Sequence, residues 1–258
     1  MIKDANTPFR GPGGGNGNAG LKIALIGYGK MGKTIEGIAL QHGHEIVLKI
    51  DVDNAADMTP ANLQKADVAI EFTSPHSAFA NVMKCLGAGI PVVCGSTGWL
   101  DRLEEVKQYC RAQNGCFLYA SNFSIGVNIF FEINKRLAEL MAPHPGYTTS
   151  MQETHHTQKL DAPSGTAVTL AEQVLEKVDR LKTWSRQATH DPAVIGISSL
   201  REDPAPGTHT VTWNSSIDSI EITHTAHNRD GFASGAVLAA EFVKGKKGIF
   251  SMKEVLGL

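Results

Sequence analysis

The chain has 258 residues, of which 42% are hydrophobic and 19% charged, and its formal net charge is −2. That length buries a substantial core, as one large domain or two small ones. The balanced charge excludes a polyanion-binding surface over the whole molecule, and no run of about 18 apolar residues is present to cross a membrane, so neither nucleic acid nor membrane is an expected partner.

Residues 1–20 end in "GPGGGNGNAG" and hold almost nothing apolar to bury. They read as a disordered leader, an expression remnant or an over-extended start, and folding is expected to begin at Leu21. "LKIALIG" is then a short apolar run suited to a buried strand, and "KMGKTIEGIALQHG" has helical spacing with Gly43 as its stop. "HEIVLKID", "ADVAIEFT", "IPVVCGS" and "CFLYAS" read as further strands, with helices predicted over "HSAFANVMKCLGAG" and "LDRLEEVKQYCRAQNG". This alternation predicts a parallel sheet covered on both faces. Cys85, Cys94, Cys110 and Cys116 have no CxxC spacing, which suggests reduced thiols and a cytoplasmic setting.

After "NFSIGVN" the rhythm changes. "IFFEINKRLAELMA" is a long amphipathic helix, "YTTSMQETHH" alternates like a strand, and a helix follows from about Ser164. "VIGISSL", "GTHTVTWNS" and "DSIEITHTAH" read as consecutive strands joined by turns, and "FASGAVLAAEFVKG" as a late helix. The back half is thus expected to be an α+β layer with antiparallel neighbours.

"GYGKMG" places Gly27, Gly29 and Gly32 in G-x-G-x-x-G spacing between a strand and a helix. Such a turn lets a pyrophosphate approach the backbone at a helix N-terminus. Asp51, at the end of the second strand, is suited to the ribose hydroxyls of a dinucleotide. Its carboxylate would repel a 2′-phosphate and Val52 offers no guanidinium for one, so NADH is favoured over NADPH, with Lys49 able to soften the preference. Ligands in such sheets bind beyond the strand ends, which makes "CGSTGW" and "ASNF" candidates for the nicotinamide pocket.

"ETHHTQKLDAPSGTA" (153–167) puts two histidines, a lysine and an aspartate within seven residues. As a metal site it is weak: His155 and His156 are adjacent, so on a strand they point to opposite faces, and "HTAH" (224–227) lacks companion ligands. No metal is expected. A polar loop capped by Asp161 or Ser164 accounts for "DAPSGT" but not for the histidines and lysine upstream. Proton transfer beside an anion site accounts for both: histidine titrates near neutrality, Lys159 supplies a cation, and Gly165 and Thr166 begin a helix whose N–H groups can hold a carboxylate. With a dinucleotide, the implied reaction is reduction of a polarised double bond.

This segment resembles the signature of the 4-hydroxy-tetrahydrodipicolinate (dihydrodipicolinate) reductases of the diaminopimelate–lysine route. "GYGKMG", "GSTG" and "ASNFSIGVN" accompany it in the expected order, and the resemblance runs from Leu21 to Leu258. It implies a Rossmann-type parallel sheet over 21–123. An α+β substrate-binding and oligomerisation domain with an open mixed sheet would span 124–227, with C-terminal helices (228–258) returning to the first domain. His155 would be the proton donor and Lys159 a second catalytic donor; His156, Gly165 and Thr166 would bind a small dicarboxylate substrate. Gly27, Tyr28, Gly29, Lys30, Met31, Gly32, Asp51, Gly95, Ser96, Thr97, Ala120, Ser121, Asn122 and Phe123 would line NADH or NADPH in a homotetramer. The family often has Arg where this chain has Val52, and threonine where it has Ser96. A related dehydrogenase of another small amino or keto acid, such as aspartate, and a non-catalytic NAD(H) sensor are the alternatives.

Overall fold

A computed structural model describes residues 20–258, so all but the last residue of the expected leader lies outside the described residues. Strand β1 (Lys22–Ile26) is buried on both sides, because successive side chains point to opposite faces of the sheet. Ile23 and Leu25 join one core, while Ala24 and Ile26 join another. β2 (Glu45–Ile50), β3 (Val68–Glu71), β4 (Val92–Cys94) and β5 (Cys116–Tyr119) complete the expected parallel set, and β11 (Gly248–Phe250) adds a sixth strand beside β5. The order is β11-β5-β4-β3-β1-β2, all parallel.

Helices α1 (Lys30–Gln41) and α7 (Asp230–Val243) cover one face through Ile35, Ala39, Ala236, Val237 and Ala240. On the other face, α3 (Pro75–Gly87) and α4 (Leu103–Ala112) bury Val82, Cys85, Leu86, Val106 and Cys110. The chain's end therefore returns to the first sheet, contributing β11 and α8 (Met252–Leu256) as well as α7. All four cysteines are buried and free.

The second sheet runs β10-β9-β6-β8-β7 and is mixed. β6 (Thr148–His155) lies at its centre, parallel to β8 (Val194–Arg201) and antiparallel to β9 (Gly207–Asn214). β9 and β10 (Ser219–Ala226) form the expected antiparallel pair. The expectation that β8 and β9 are also neighbours is corrected: β6 is inserted between them. β6 buries Thr149, Met151, Glu153 and His155 on alternate positions, and a central place gives that inward row a neighbour on each side. Met151, Ile197, Val211 and Trp213 pack under α5 (Ile125–Met141) and α6 (Gly165–Lys177), forming a third core with Phe130, Leu170 and Val174. The short elements β7 (Thr183–Ser185), α2 (Pro60–Leu63) and the 3-10 turns at Val52–Asp57 and Leu100–Arg102 were not predicted.

Candidate active site

At the end of β1, Gly27 has φ +97°, and a Cβ there would lie 2.1 Å from the Phe72 carbonyl oxygen. A Cβ on Gly32 would lie 2.2 Å from the Gly27 carbonyl oxygen, so both glycines are needed to bring α1 onto the strand. Gly29 is the N-cap of α1 and makes no side-chain cap hydrogen bond, and the first turn holds no acidic residue. The leading N–H groups of α1 are thus left without a side-chain acceptor beside exposed Lys30, which fits a phosphate-bearing group. Met31 packs against the core.

Tyr28, Glu36 and Lys49 form a small network next to this turn. The Tyr28 hydroxyl hydrogen-bonds Glu36, whose other oxygen pairs with Lys49 at 2.6 Å, and Lys49 Nζ sits 4.9 Å from the Tyr28 ring centroid. The Lys49 hydrogen bond holds the Glu36 carboxyl below its ordinary range. Lys49 is therefore already matched by a carboxylate. Asp51 is exposed and caps the following 3-10 turn, its Oδ1 accepting the Val52 N–H at 2.9 Å.

The remaining cofactor candidates split by exposure. Ser96 is buried and its hydroxyl accepts the Thr73 N–H at 2.8 Å, so it braces the loop after β3. Gly95 is half-buried, and Thr97 and Ser121 are exposed at the strand ends. Asn122 accepts the Ser124 N–H, while Ala120 and Phe123 are buried, the latter with its ring 5.5 Å from that of Phe72.

His155 ends β6. The alternation of β6 puts Glu153 and His155 on the buried face, while His156 follows the strand half-buried. Register then does what sequence spacing cannot: His209 on β9 lies opposite Glu153, and Arg201 on β8 lies opposite His155. Glu153 is fully buried, and both its oxygens accept the Ser164 N–H, at 3.0 and 3.1 Å. Its Oε1 is also 3.4 Å from Arg201 Nη2, and its Oε2 is 3.5 Å from His155 Nδ1 and 3.6 Å from His209 Nε2. Burial by itself would raise the Glu153 carboxyl, but the adjacent His209 ring and the hydrogen bonds from Ser164 outweigh it and hold the group well below the carboxylate range. His155 moves the other way for a base: burial pushes it down to about 4, neighbouring His209 adds to this, Glu153 opposes it, and Lys159 and Arg201 add again.

Ser164 is the N-cap of α6, its hydroxyl accepting the Ala167 N–H at 3.2 Å and lying 3.0 Å from His209 Nε2. Gly165 is exposed, a Cβ there would meet nothing within 4 Å, and Thr166 is half-buried. Lys159 Nζ pairs with Asp161 at 2.8 Å. Arg201 fastens this loop by donating to the carbonyls of Lys159 (3.2 Å) and Asp161 (2.6 Å). One constellation thus gathers His155, Lys159, Gly165 and Thr166. It also contains Glu153, Arg201 and His209, which sequence reasoning missed; only the buried-face alternation hinted at Glu153. Glu153, His155 and His209 offer ligand atoms within 4.8 Å of one another, but Ser164 and Arg201 already occupy the carboxylate.

Profiles of the dihydrodipicolinate reductase N-terminus and C-terminus match residues 21–123 and 126–256. The chain belongs to that family. It is 51% identical over 236 residues to the 4-hydroxy-tetrahydrodipicolinate reductase of Christiangramia forsetii, covering 92% of this chain and 98% of that one. The Neisseria meningitidis serogroup C protein of the same name is 34% identical, with the same coverages. A dipicolinate-bound dihydrodipicolinate reductase from Paenisporosarcina sp. TG-14 shares the fold, with a TM-score of 0.73, 24% identity, and coverage of 92% of this chain and 100% of that chain. Family membership carries with it an NAD(P)H-dependent oxidoreductase with a pyridine-nucleotide cofactor.

Proposed function

We propose that the chain reduces 4-hydroxy-tetrahydrodipicolinate, after loss of water to dihydrodipicolinate, to tetrahydrodipicolinate in lysine and diaminopimelate biosynthesis. The observation that carries this reading is the meeting of His155 and Lys159 with the open start of α6, in a chain 51% identical to a reductase of that name. When bound, the dinucleotide supplies a hydride to one carbon of the polarised double bond. Gly27 to Gly32 hold its phosphates against the start of α1, and Gly95, Ser96, Thr97 and Ala120 to Phe123 wall the nicotinamide end, with Ser96 acting by bracing its loop. The N–H groups of Gly165 and Thr166, which the Ser164 cap on Ala167 leaves available, take one substrate carboxylate. His156 contacts the substrate, and Lys159 leaves Asp161 to pair with substrate charge or to serve as a second donor for the single proton that the reduction needs.

His155 delivers the proton that completes the reduction. Its Nδ1 faces Glu153, so Nε2 is the donating nitrogen. The depressed proton affinity of His155 leaves it neutral near pH 7 in the free protein. A dianionic substrate beside it raises that affinity, so binding charges the donor where it is needed.

Asp51, followed by Val52 in place of a cation, supports NADH as the preferred cofactor, and the Lys49–Glu36 pair removes the cation that would most favour NADPH. We place the enzyme in the cytoplasm on its four free thiols. Among the described residues no helix is long and apolar enough to cross a membrane. We assign a homotetramer built on the open face of the second sheet, where Thr208 meets Thr225 and Thr210 meets Thr223 across β9 and β10. The deciding experiment is a coupled assay with substrate generated from pyruvate and aspartate semialdehyde, comparing NADH and NADPH. The expected result is rapid oxidation that His155→Gln slows by roughly 10²–10⁴-fold while NADH binding survives. NADH oxidation with oxaloacetate and ammonia, and none with this substrate, would favour the related-dehydrogenase reading.

A further inference from the structure

Glu153 is a fully buried carboxylate to which several parts of the constellation are tied. The same two oxygens that accept the Ser164 N–H face the rings of His155 and His209 and the guanidinium of Arg201. Ser164 caps α6, so the carboxylate facing the proton donor also fixes the turn that presents Gly165 and Thr166. His209 closes the loop: its Nε2 is 3.0 Å from Ser164 Oγ, and its ring stands edge-on to His155 with centroids 5.0 Å apart. His155 Nδ1 is buried without a hydrogen-bond partner, Glu153 Oε2 being 3.5 Å away. A small ring rotation would close that gap, as catalytic hydrogen bonds tighten on substrate binding.

We propose that Glu153 and His209 are positioning residues that set the proton affinity and orientation of His155 and couple it to the carboxylate-holding start of α6. This rests on the reading of His155 as proton donor. The charged and titratable groups around His155 are Glu153 on its own strand, His209 on β9, Arg201 on β8 and Lys159 in the following loop. Glu153 is the one that favours the protonated ring, and the other three oppose it. The two proposed residues therefore act with opposite signs, which a pair serving only as a structural brace would not do.

Glu153→Gln keeps the shape and an acceptor for the Ser164 N–H while removing the charge; His209→Gln removes the opposing ring. The experiment is a ¹⁵N NMR titration of the His155 imidazole in the full-length protein, with the pH profile of turnover measured alongside. A proton donor loses activity as pH rises through its pKa. Glu153→Gln should move both the titration and the basic limb about one pH unit lower, and His209→Gln should move them higher. Unmoved titrations, with rates cut equally at every pH, would overturn the proposal. If Glu153→Gln does not fold, His209→Gln decides alone: an unmoved or lowered titration sinks it. Failure of the donor reading is separately visible, because His155→Gln would then leave turnover unchanged while the NMR shifts still report on Glu153 and His209.

Discussion

Gly207 lies so close to His155 that a Cβ at position 207 would sit 3.1 Å from the ring's Nε2. Its φ of +154° is also one that side-chain-bearing residues rarely adopt. Gly207→Ala should therefore push on the proposed donor and strain the start of β9. A loss of roughly 1–3 kcal/mol in stability is expected from the backbone, with a fall in kcat beyond what unfolding explains. Thermal melts and kcat measured well below the melting temperature check this; unchanged kcat in a folded variant would show that the ring does not depend on this contact.

The same ring makes stability depend on pH. The folded-state pKa of His155 is lowered from 6.5 to about 4, so below pH 6.5 the unfolded chain takes up its proton first and stability falls until about pH 4. Glu153, whose carboxyl is lowered, stabilises the fold above the ordinary carboxylate range and loses that contribution only at lower pH. Between pH 6.5 and 4.5, then, His155 dominates this pair. Its share is on the order of 1–2 kcal/mol on going from pH 7 to 5. Melting curves across that window should slope less steeply in His155→Gln than in the wild type, and equal slopes would remove His155 as the cause.

The nucleotide-binding half was legible because its signals are local. "KIALI" is apolar at nearly every position, as a strand buried on two faces must be, and the glycines of "GYGKMG" sit where close backbone approach requires them. β11 was not legible, since three half-buried residues after a helix carry no periodicity. In the second sheet, the chain order of β8, β9 and β10 suggested neighbours, but sheet order is set by which strand buries its inward row, and β6 took the centre. The candidate site divides the same way. His155 and Lys159 share one short segment, whereas Arg201 and His209 come 46 and 54 positions after His155, by difference of residue numbers, and meet it only through strand register.

Lys159 is held by Asp161 in this structure, with Nζ 2.8 Å from one oxygen and 2.9 Å from the other. If Lys159 transfers to substrate charge, Lys159→Ala should raise KM for the dicarboxylate and lower kcat together, leaving the NADH dissociation constant near the wild-type value. Fluorescence titration of NADH and steady-state kinetics separate the two. Weakened NADH binding with unaltered substrate KM would move Lys159 out of the substrate site.

Asp51 does two jobs that a single truncation would confound. Its Oδ1 caps the Val52–Asp57 turn through the Val52 N–H, and its charge is what should disfavour a 2′-phosphate. Asp51→Ala removes both the cap and the charge, so a changed cofactor ratio could follow from a disordered turn. Asp51→Asn is the cleaner variant, because an amide oxygen still accepts the Val52 N–H while the negative charge is gone. With Lys49 already paired to Glu36, no strong new cation is unmasked, and the gain should be moderate: NADPH should improve several-fold in kcat/KM relative to NADH. Adding Glu36→Gln should release Lys49 and raise the NADPH share further. Both ratios are read from parallel assays with the two cofactors. A ratio that stays at the wild-type value in both variants would mean that neither Asp51 nor the Lys49–Glu36 pair faces the ribose.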